Sequence, residues 1–118
     1  MKQKKVFIAL KEKEEIESIT SFFQLFGYQT IQIENLPKVT NEISSRDILI
    51  VDLYFNEVSV LQSHALPSEY KHKVFVMTPR ALFEDEETYA QKADMHILKK
   101  PVNYDILYSR LLDQMGIQ

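Results

Sequence analysis

Short runs of apolar residues alternate along this chain with stretches in which apolar residues recur every three or four positions. The short runs predict buried strands, and the longer spacing predicts helices that cover them. The pattern predicts strands at residues 5–10, 28–33, 47–52, 73–78 and 95–99. It predicts helices at residues 11–26, 37–44, 56–65 and 83–93, and a last helix that Asn103 caps and Gly116 ends.

Strict alternation of strand and helix is typical of a parallel α/β sheet with helices on both faces. Residues 28–33 alternate apolar and polar side chains, so this strand is expected at an edge. Residues 48–51 are continuously apolar, as in a strand covered on both faces. We therefore expect one α/β domain over residues 1–118. Its predicted architecture is a flavodoxin-like, doubly wound sheet of five parallel strands, in the order 2-1-3-4-5, with five helices.

Composition narrows the classes of function. The 118 residues are 45% hydrophobic and 26% charged, as in an ordinary globular domain. A net charge of −3 argues against nucleic-acid binding, and no apolar run is long enough for a membrane span. The chain has no cysteine, which excludes thiolate chemistry, and only two glycines, which disfavours glycine-rich phosphate-binding loops. A cytoplasmic location is expected.

Three polar residues end or follow predicted strands: Asp52, Thr78 and Lys100. In open α/β sheets, sites form beyond the carboxyl ends of the strands, so these side chains are expected to converge. A carboxylate, a hydroxyl and an ammonium in one crevice suit acyl-phosphate chemistry. The carboxylate would be the nucleophile, and the other two groups would stabilise phosphoryl oxygens.

In this order and spacing, three segments resemble the response-regulator receiver domain over essentially the whole chain. They are residues 47–53, residues 76–78 and residues 99–102, which contain Lys100-Pro101. The resemblance implies that Asp52 accepts a phosphoryl group, that Thr78 is the switch hydroxyl and that Lys100 binds the phosphoryl group. It also implies a cis bond before Pro101.

The sequence departs from this family where the metal would bind. Receivers carry two acids after the first strand that hold Mg²⁺, and this chain has Leu10 and Lys11 there. Asp52 alone is a weak Mg²⁺ ligand set, since that ion prefers several oxygens in octahedral geometry. Glu12 or Glu14 would substitute only if the loop shifted, and acids in a first helical turn need no metal to explain them.

Two further departures concern the loop after Asp52 and the switch position. Residues 53–56 lack the family's Met-Pro and Gly features. The aromatic switch position falls at Ile97, or at His96 if the register shifts by one residue. An isoleucine there cannot act as a rotating aromatic ring.

Plainer interpretations stand beside these. Asp52 could form a structural ion pair with Lys100 or Lys11, because buried carboxylates are costly unless paired. Thr78 could simply end a strand before Pro79. The acids at residues 84–87 are most simply interpreted as the solvated start of a helix. The three histidines are not spaced as metal ligands.

Three functions follow. The favoured one is a pseudo-receiver, a protein-interaction module of two-component signalling that is not an enzyme and needs no cofactor. The alternative is a working receiver that a histidine kinase phosphorylates on Asp52 with Mg²⁺. The third, an enzyme of another class on the same architecture, lacks a motif to support it. Expected partners are a histidine kinase or another signalling protein, and a second copy could pair through the fourth and fifth helices.

Overall fold

A five-stranded parallel sheet forms the centre of the computed structural model, which describes residues 4–34, 47–55, 58–62 and 73–115. The strands are β1 (Lys5–Ala9), β2 (Gln29–Gln32), β3 (Ile48–Asp52), β4 (Tyr54–Phe55), β5 (Val58–Ser59), β6 (Val74–Thr78) and β7 (His96–Lys99). The helices are α1 (Lys13–Gln24), α2 (Glu84–Lys92) and α3 (Tyr104–Met115).

The strand order of the sheet is β2-β1-β3-β6-β7, and all its neighbouring pairs are parallel. Strands β4 and β5 pair with each other in a separate sheet, so β6 and β7 are the fourth and fifth strands of the main sheet. The observed order therefore matches the predicted order 2-1-3-4-5. In the register, Asp52 lies opposite Met77, and Thr78 lies opposite Lys99. The carboxyl ends of β3, β6 and β7 therefore meet at one edge of the sheet.

The prediction of five helices is wrong: the described residues contain three. The predicted helix at 56–65 is replaced, where the structure describes it, by an antiparallel pair in which Tyr54 faces Ser59. Aromatic and β-branched residues in this segment favour strand over helix. The amide of Val60 donates to the carbonyl of Leu53 at 2.8 Å, which closes the hairpin. The predicted helix at 37–44 lies outside the described residues.

Each face of the sheet carries its own apolar cluster, since successive strand residues point to opposite faces. The first cluster includes residues of α1 and α3 as well as of the sheet: Val6, Ile8, Leu10, Ile19, Phe23, Tyr28, Ile48, Ile50, Phe75, Met77, Leu98, Leu107 and Leu111. The second includes α2 and the hairpin: Phe7, Ala9, Leu49, Val51, Leu53, Phe55, Val60, Leu61, Val74, Val76, Ala90 and Met95. The predicted two-sided cover is thus confirmed, with α1 and α3 on one face and α2 on the other.

The helix ends follow the local signals in the sequence. Gly27 takes φ +80° after α1, a conformation that glycine adopts without steric cost. The Asn103 side chain accepts hydrogen bonds from the amides of Asp105 (2.9 Å) and Ile106 (3.2 Å), as predicted for a cap. Helix α1 begins at Lys13 rather than at residue 11, which leaves Lys11 and Glu12 in the preceding loop. No described helix has the length and apolar character needed to cross a membrane.

Candidate functional site

The structure brings Asp52 and Lys100 into contact at the carboxyl edge of the sheet. Asp52 ends β3 and is 5% exposed. Lys100 directly follows β7, and its amide donates to the carbonyl of Thr78 at 2.8 Å, which fixes it beside the end of β6. The bond between Lys100 and Pro101 is cis, as the resemblance implied. Three neighbouring strand ends thus build one crevice.

Asp52 is neutralised by one side chain and held by one backbone group. The Lys100 ammonium lies 2.9 Å from Asp52 Oδ1. The contact is electrostatic, because Oδ1 accepts no directed hydrogen bond from the described residues. The other oxygen, Oδ2, accepts a hydrogen bond from the backbone amide of Lys11 at 2.9 Å. The ion pair predicted with Lys100 is therefore present, whereas Lys11 contributes its backbone.

Lys100 has a second carboxylate partner that the sequence analysis did not identify. Its ammonium donates to Glu15 Oε1 at 3.0 Å, so it bridges Glu15 and Asp52. Burial alone would lower the pKa of Lys100, but the two carboxylates outweigh that effect and raise the pKa above its ordinary value. Glu15 precedes the buried Ile19 by one helical turn, so the periodicity of α1 could have placed it facing the sheet.

The loop after β1 lies against Asp52, as the resemblance required, but it supplies no acid pair. Leu10 is 6% exposed and belongs to the apolar cluster beneath α1 and α3. The part of the chain that the structure describes has no group of three acidic, histidine or cysteine residues able to hold a metal ion. The residues present fit Mg²⁺ poorly, because a lysine ammonium already lies against the one buried carboxylate at this edge.

Thr78 is brought to the same edge, but its hydroxyl is engaged elsewhere. The side chain is almost fully buried. The hydroxyl donates to the carbonyl of Arg80 at 2.6 Å and accepts from the amide of Arg80 at 3.2 Å. Both bonds close a local turn after β6, and neither reaches Asp52. The structure therefore pairs Asp52 with Lys100 and turns Thr78 onto its own loop.

A partly buried ionic network, centred on the buried Glu86, lies beside this turn. Arg80 forms two parallel bonds with Glu86, at 2.8 Å and 3.0 Å. Glu86 also accepts from the Ser59 hydroxyl at 2.8 Å and from the amide of Phe83 at 2.8 Å. The Arg80 guanidinium stacks over the Phe83 ring, 3.9 Å from its centre, and donates to the Tyr54 hydroxyl at 3.1 Å. Four segments of chain meet at this one ion pair.

The network corrects one prediction about the acids at 84–87. Three of them are exposed, but Glu86 is fully buried. Hydrogen bonds from Arg80 outweigh its burial and hold the pKa of Glu86 at about 2. The hydrogen bonds to Glu86 in turn raise the pKa of Arg80 above its ordinary value. Glu86 precedes the buried Ala90 by one turn, and this spacing is the signal that could have marked it.

A cleft of about 150 Å³ opens at Asp52. Its walls come from the loop after β1, the start of the hairpin, the loop after β6 and the residue after β7: Lys11, Glu12, Asp52, Leu53, Tyr54, Pro79 and Lys100. Of the two candidates for the aromatic switch position, Ile97 contributes to the cluster beneath α2, and His96 stacks on Phe75 with ring centres 4.5 Å apart. Ile97 is thus the residue on the α2 side of the sheet.

Comparison with solved structures relates this fold to receiver domains. A two-component response regulator from Clostridium difficile matches with a TM-score of 0.72 and 15% identity, over 98% of this chain and 97% of that one. The receiver domain of a sensor histidine kinase from Pseudomonas aeruginosa, crystallised with a magnesium ion coordinated in its active-site cleft, matches with a TM-score of 0.69 and 16% identity. That match covers 98% of this chain and 99% of the other.

A CheY-like receiver domain from Methylobacillus flagellatus matches with a TM-score of 0.66 and 20% identity, over 95% of this chain and 98% of that one. No protein-family model and no curated protein sequence matches this chain. The resemblance seen in the sequence is confirmed at the level of the fold, which is that of response-regulator receiver domains.

Proposed function

We propose that this chain is a pseudo-receiver, a receiver-fold module of two-component signalling that regulates through protein contacts and has no phosphate cycle or enzymatic activity. The observation that carries the proposal is the Lys100–Asp52 ion pair at 2.9 Å. The ammonium neutralises the carboxylate without a metal, and Leu10 and Lys11 stand where receivers have acids. The ion pair would therefore hold the domain in one state without a metal.

The receiver fold supports a histidine kinase or another signalling protein as the partner. That the module acts in the cytoplasm, without nucleic acid or membrane, is part of the same proposal. The fourth and fifth helices of the sequence prediction correspond to α2 and α3. A second copy of the chain would pair through these helices. This partnership is part of the proposal.

The second candidate is a working phosphoacceptor, and one observation favours it. Asp52 lines the cleft, and among the described residues its Oδ1 has the Lys100 ammonium as an ion-pair partner and accepts no hydrogen bond. A phosphoryl group on that oxygen would meet the Lys100 ammonium at once. In this candidate a histidine kinase phosphorylates Asp52 with Mg²⁺, and Thr78 must leave Arg80 to follow the phosphoryl group.

A phosphodonor experiment separates the two candidates. We expect no gain in mass when the protein is incubated with Mg²⁺ and acetyl phosphate, because the described residues contain no group of three acids or histidines that could hold the metal. Rapid intact-mass spectrometry is the measurement, with Asp52→Asn as the matched control. A stoichiometric gain of one phosphoryl group in the wild type, absent from Asp52→Asn, would establish the second candidate instead.

A further inference from the structure

Two segments that border the Asp52 cleft are joined through one arginine. Tyr54, in β4, and Pro79, in the loop after β6, both line the cleft. Arg80 follows Pro79 directly, and its Nε donates to the Tyr54 hydroxyl at 3.1 Å. A second guanidinium nitrogen, Nη2, bonds to the same hydroxyl. The arginine side chain thus joins the loop after β6 to the hairpin, two of the segments that line the cleft.

Glu86 fixes both this arginine and the second strand of the hairpin. Its two carboxylate oxygens bind Arg80 in a fork, an arrangement stronger and more directional than a single hydrogen bond. It accepts directly from Ser59, in β5. Since Glu86 is fully buried with both oxygens bonded, its network is of the satisfied kind that makes a structure rigid. The hairpin is held at two points, Tyr54 through Arg80 and Ser59 through Glu86.

The same arginine holds the Thr78 hydroxyl through its backbone. That hydroxyl donates to the Arg80 carbonyl and accepts from the Arg80 amide. Any displacement of residue 80 toward solvent would break these bonds. The position of Arg80 therefore sets both the wall of the cleft and the direction of the hydroxyl.

We propose that Arg80 and Glu86 form a latch, an autoinhibitory contact that ties the hairpin to the loop after β6 at the wall of the Asp52 cleft. Release of the hairpin from this latch lets the two segments separate and exposes Asp52. Displacement of Arg80 itself also frees the Thr78 hydroxyl, which otherwise stays turned onto Arg80. The latch operates whether or not Asp52 accepts a phosphoryl group, so its test is separate from that of the proposed function.

The test uses the full chain and two variants that open the latch differently. Arg80→Ala removes the side chain that joins the two segments. The double variant Tyr54→Phe, Ser59→Ala leaves the Arg80–Glu86 pair intact and removes both hairpin hydroxyls to which the pair is bonded. Arg110→Ala is the control of equal charge change, since Arg110 bonds to the carbonyl of Ile97 in another part of the fold.

Two measurements report the outcome. Carbodiimide labelling of Asp52, followed by mass spectrometry, should rise about tenfold in both latch variants, the change expected for the loss of one or two hydrogen bonds. Hydrogen exchange at the amide of residue 80 should rise about tenfold in Arg80→Ala and stay unchanged in the double variant, with the amides of β3 as the reference for global opening.

The proposal fails if labelling of Asp52 relative to β3 exchange changes less than twofold in both latch variants, or if Arg110→Ala raises it equally. If Arg80→Ala does not fold, the double variant alone decides, because its two substitutions remove only hydroxyl groups.

Discussion

Replacing Lys100 with methionine should lower the free energy of unfolding by about 2–3 kcal/mol. Methionine keeps most of the side-chain volume but removes the ammonium that lies against Asp52 and Glu15. The Asp52 carboxylate would then stay buried, and among the described residues the Lys11 amide alone would still offset its charge. We expect a smaller loss of unfolding free energy than for a fully buried ion pair, because the Lys100 side chain is 20% exposed to water.

The cause can be isolated within the same chain. Lys99→Met is the matched control, because Lys99 is exposed and its loss should change the free energy of unfolding by less than about 0.5 kcal/mol. Adding Asp52→Asn to Lys100→Met should recover most of the loss, since the uncompensated charge is removed. Urea unfolding of the wild type, Lys100→Met, Asp52→Asn and the double variant gives the coupling energy. Equal stability of Lys100→Met and Lys99→Met would show that the ion pair is not formed in solution.

Phe23→Ala should cost about 3–5 kcal/mol of unfolding free energy. Phe23 is fully buried in the apolar cluster beneath α1 and α3, and its ring meets that of Tyr28 edge-on with centres 5.4 Å apart. Truncation removes this apolar surface and leaves a cavity that the sheet cannot close. Because α1 also carries Glu15, the loss weakens the helix that presents a carboxylate to Lys100.

Leu25→Ala is the comparison for Phe23→Ala, measured by thermal and urea unfolding. Leu25 directly follows α1 and is 83% exposed, so its truncation should change stability by less than about 0.5 kcal/mol. Similar losses in the two variants would mean that α1 does not pack on the sheet through Phe23.

The sheet could be predicted from the sequence because its strands are defined by local patterns. Continuous apolar residues mark β3 and β6, and the alternation at 28–33 marks the edge strand β2. The hairpin after Asp52 could not be predicted in the same way. Tyr54 and Ser59 are bonded to Arg80 and Glu86, which lie more than twenty residues later in the chain, and no local pattern marks such tertiary contacts.

The place of the site was predictable, but its partners were only partly so. Parallel strands bring Asp52, Thr78 and Lys100 to one edge as a matter of topology. The pairing of Lys100 with Glu15 spans 85 residues, and the pairing of Glu86 with Ser59 spans 27. Nothing in a run of four acids distinguishes the buried one except its helical phase. The rotation of Thr78 onto Arg80 depends on a side-chain network that no local pattern encodes.

A magnesium titration followed by NMR tests most directly whether the Lys100 ammonium, rather than Mg²⁺, neutralises the Asp52 carboxylate. The signals to follow are the carboxyl carbon of Asp52 and the side-chain nitrogen of Lys100, with Asp52→Asn as the control. If Lys100 stays paired with Asp52, neither signal should shift at millimolar Mg²⁺. A saturable shift of both signals in the wild type, lost in Asp52→Asn, would contradict it.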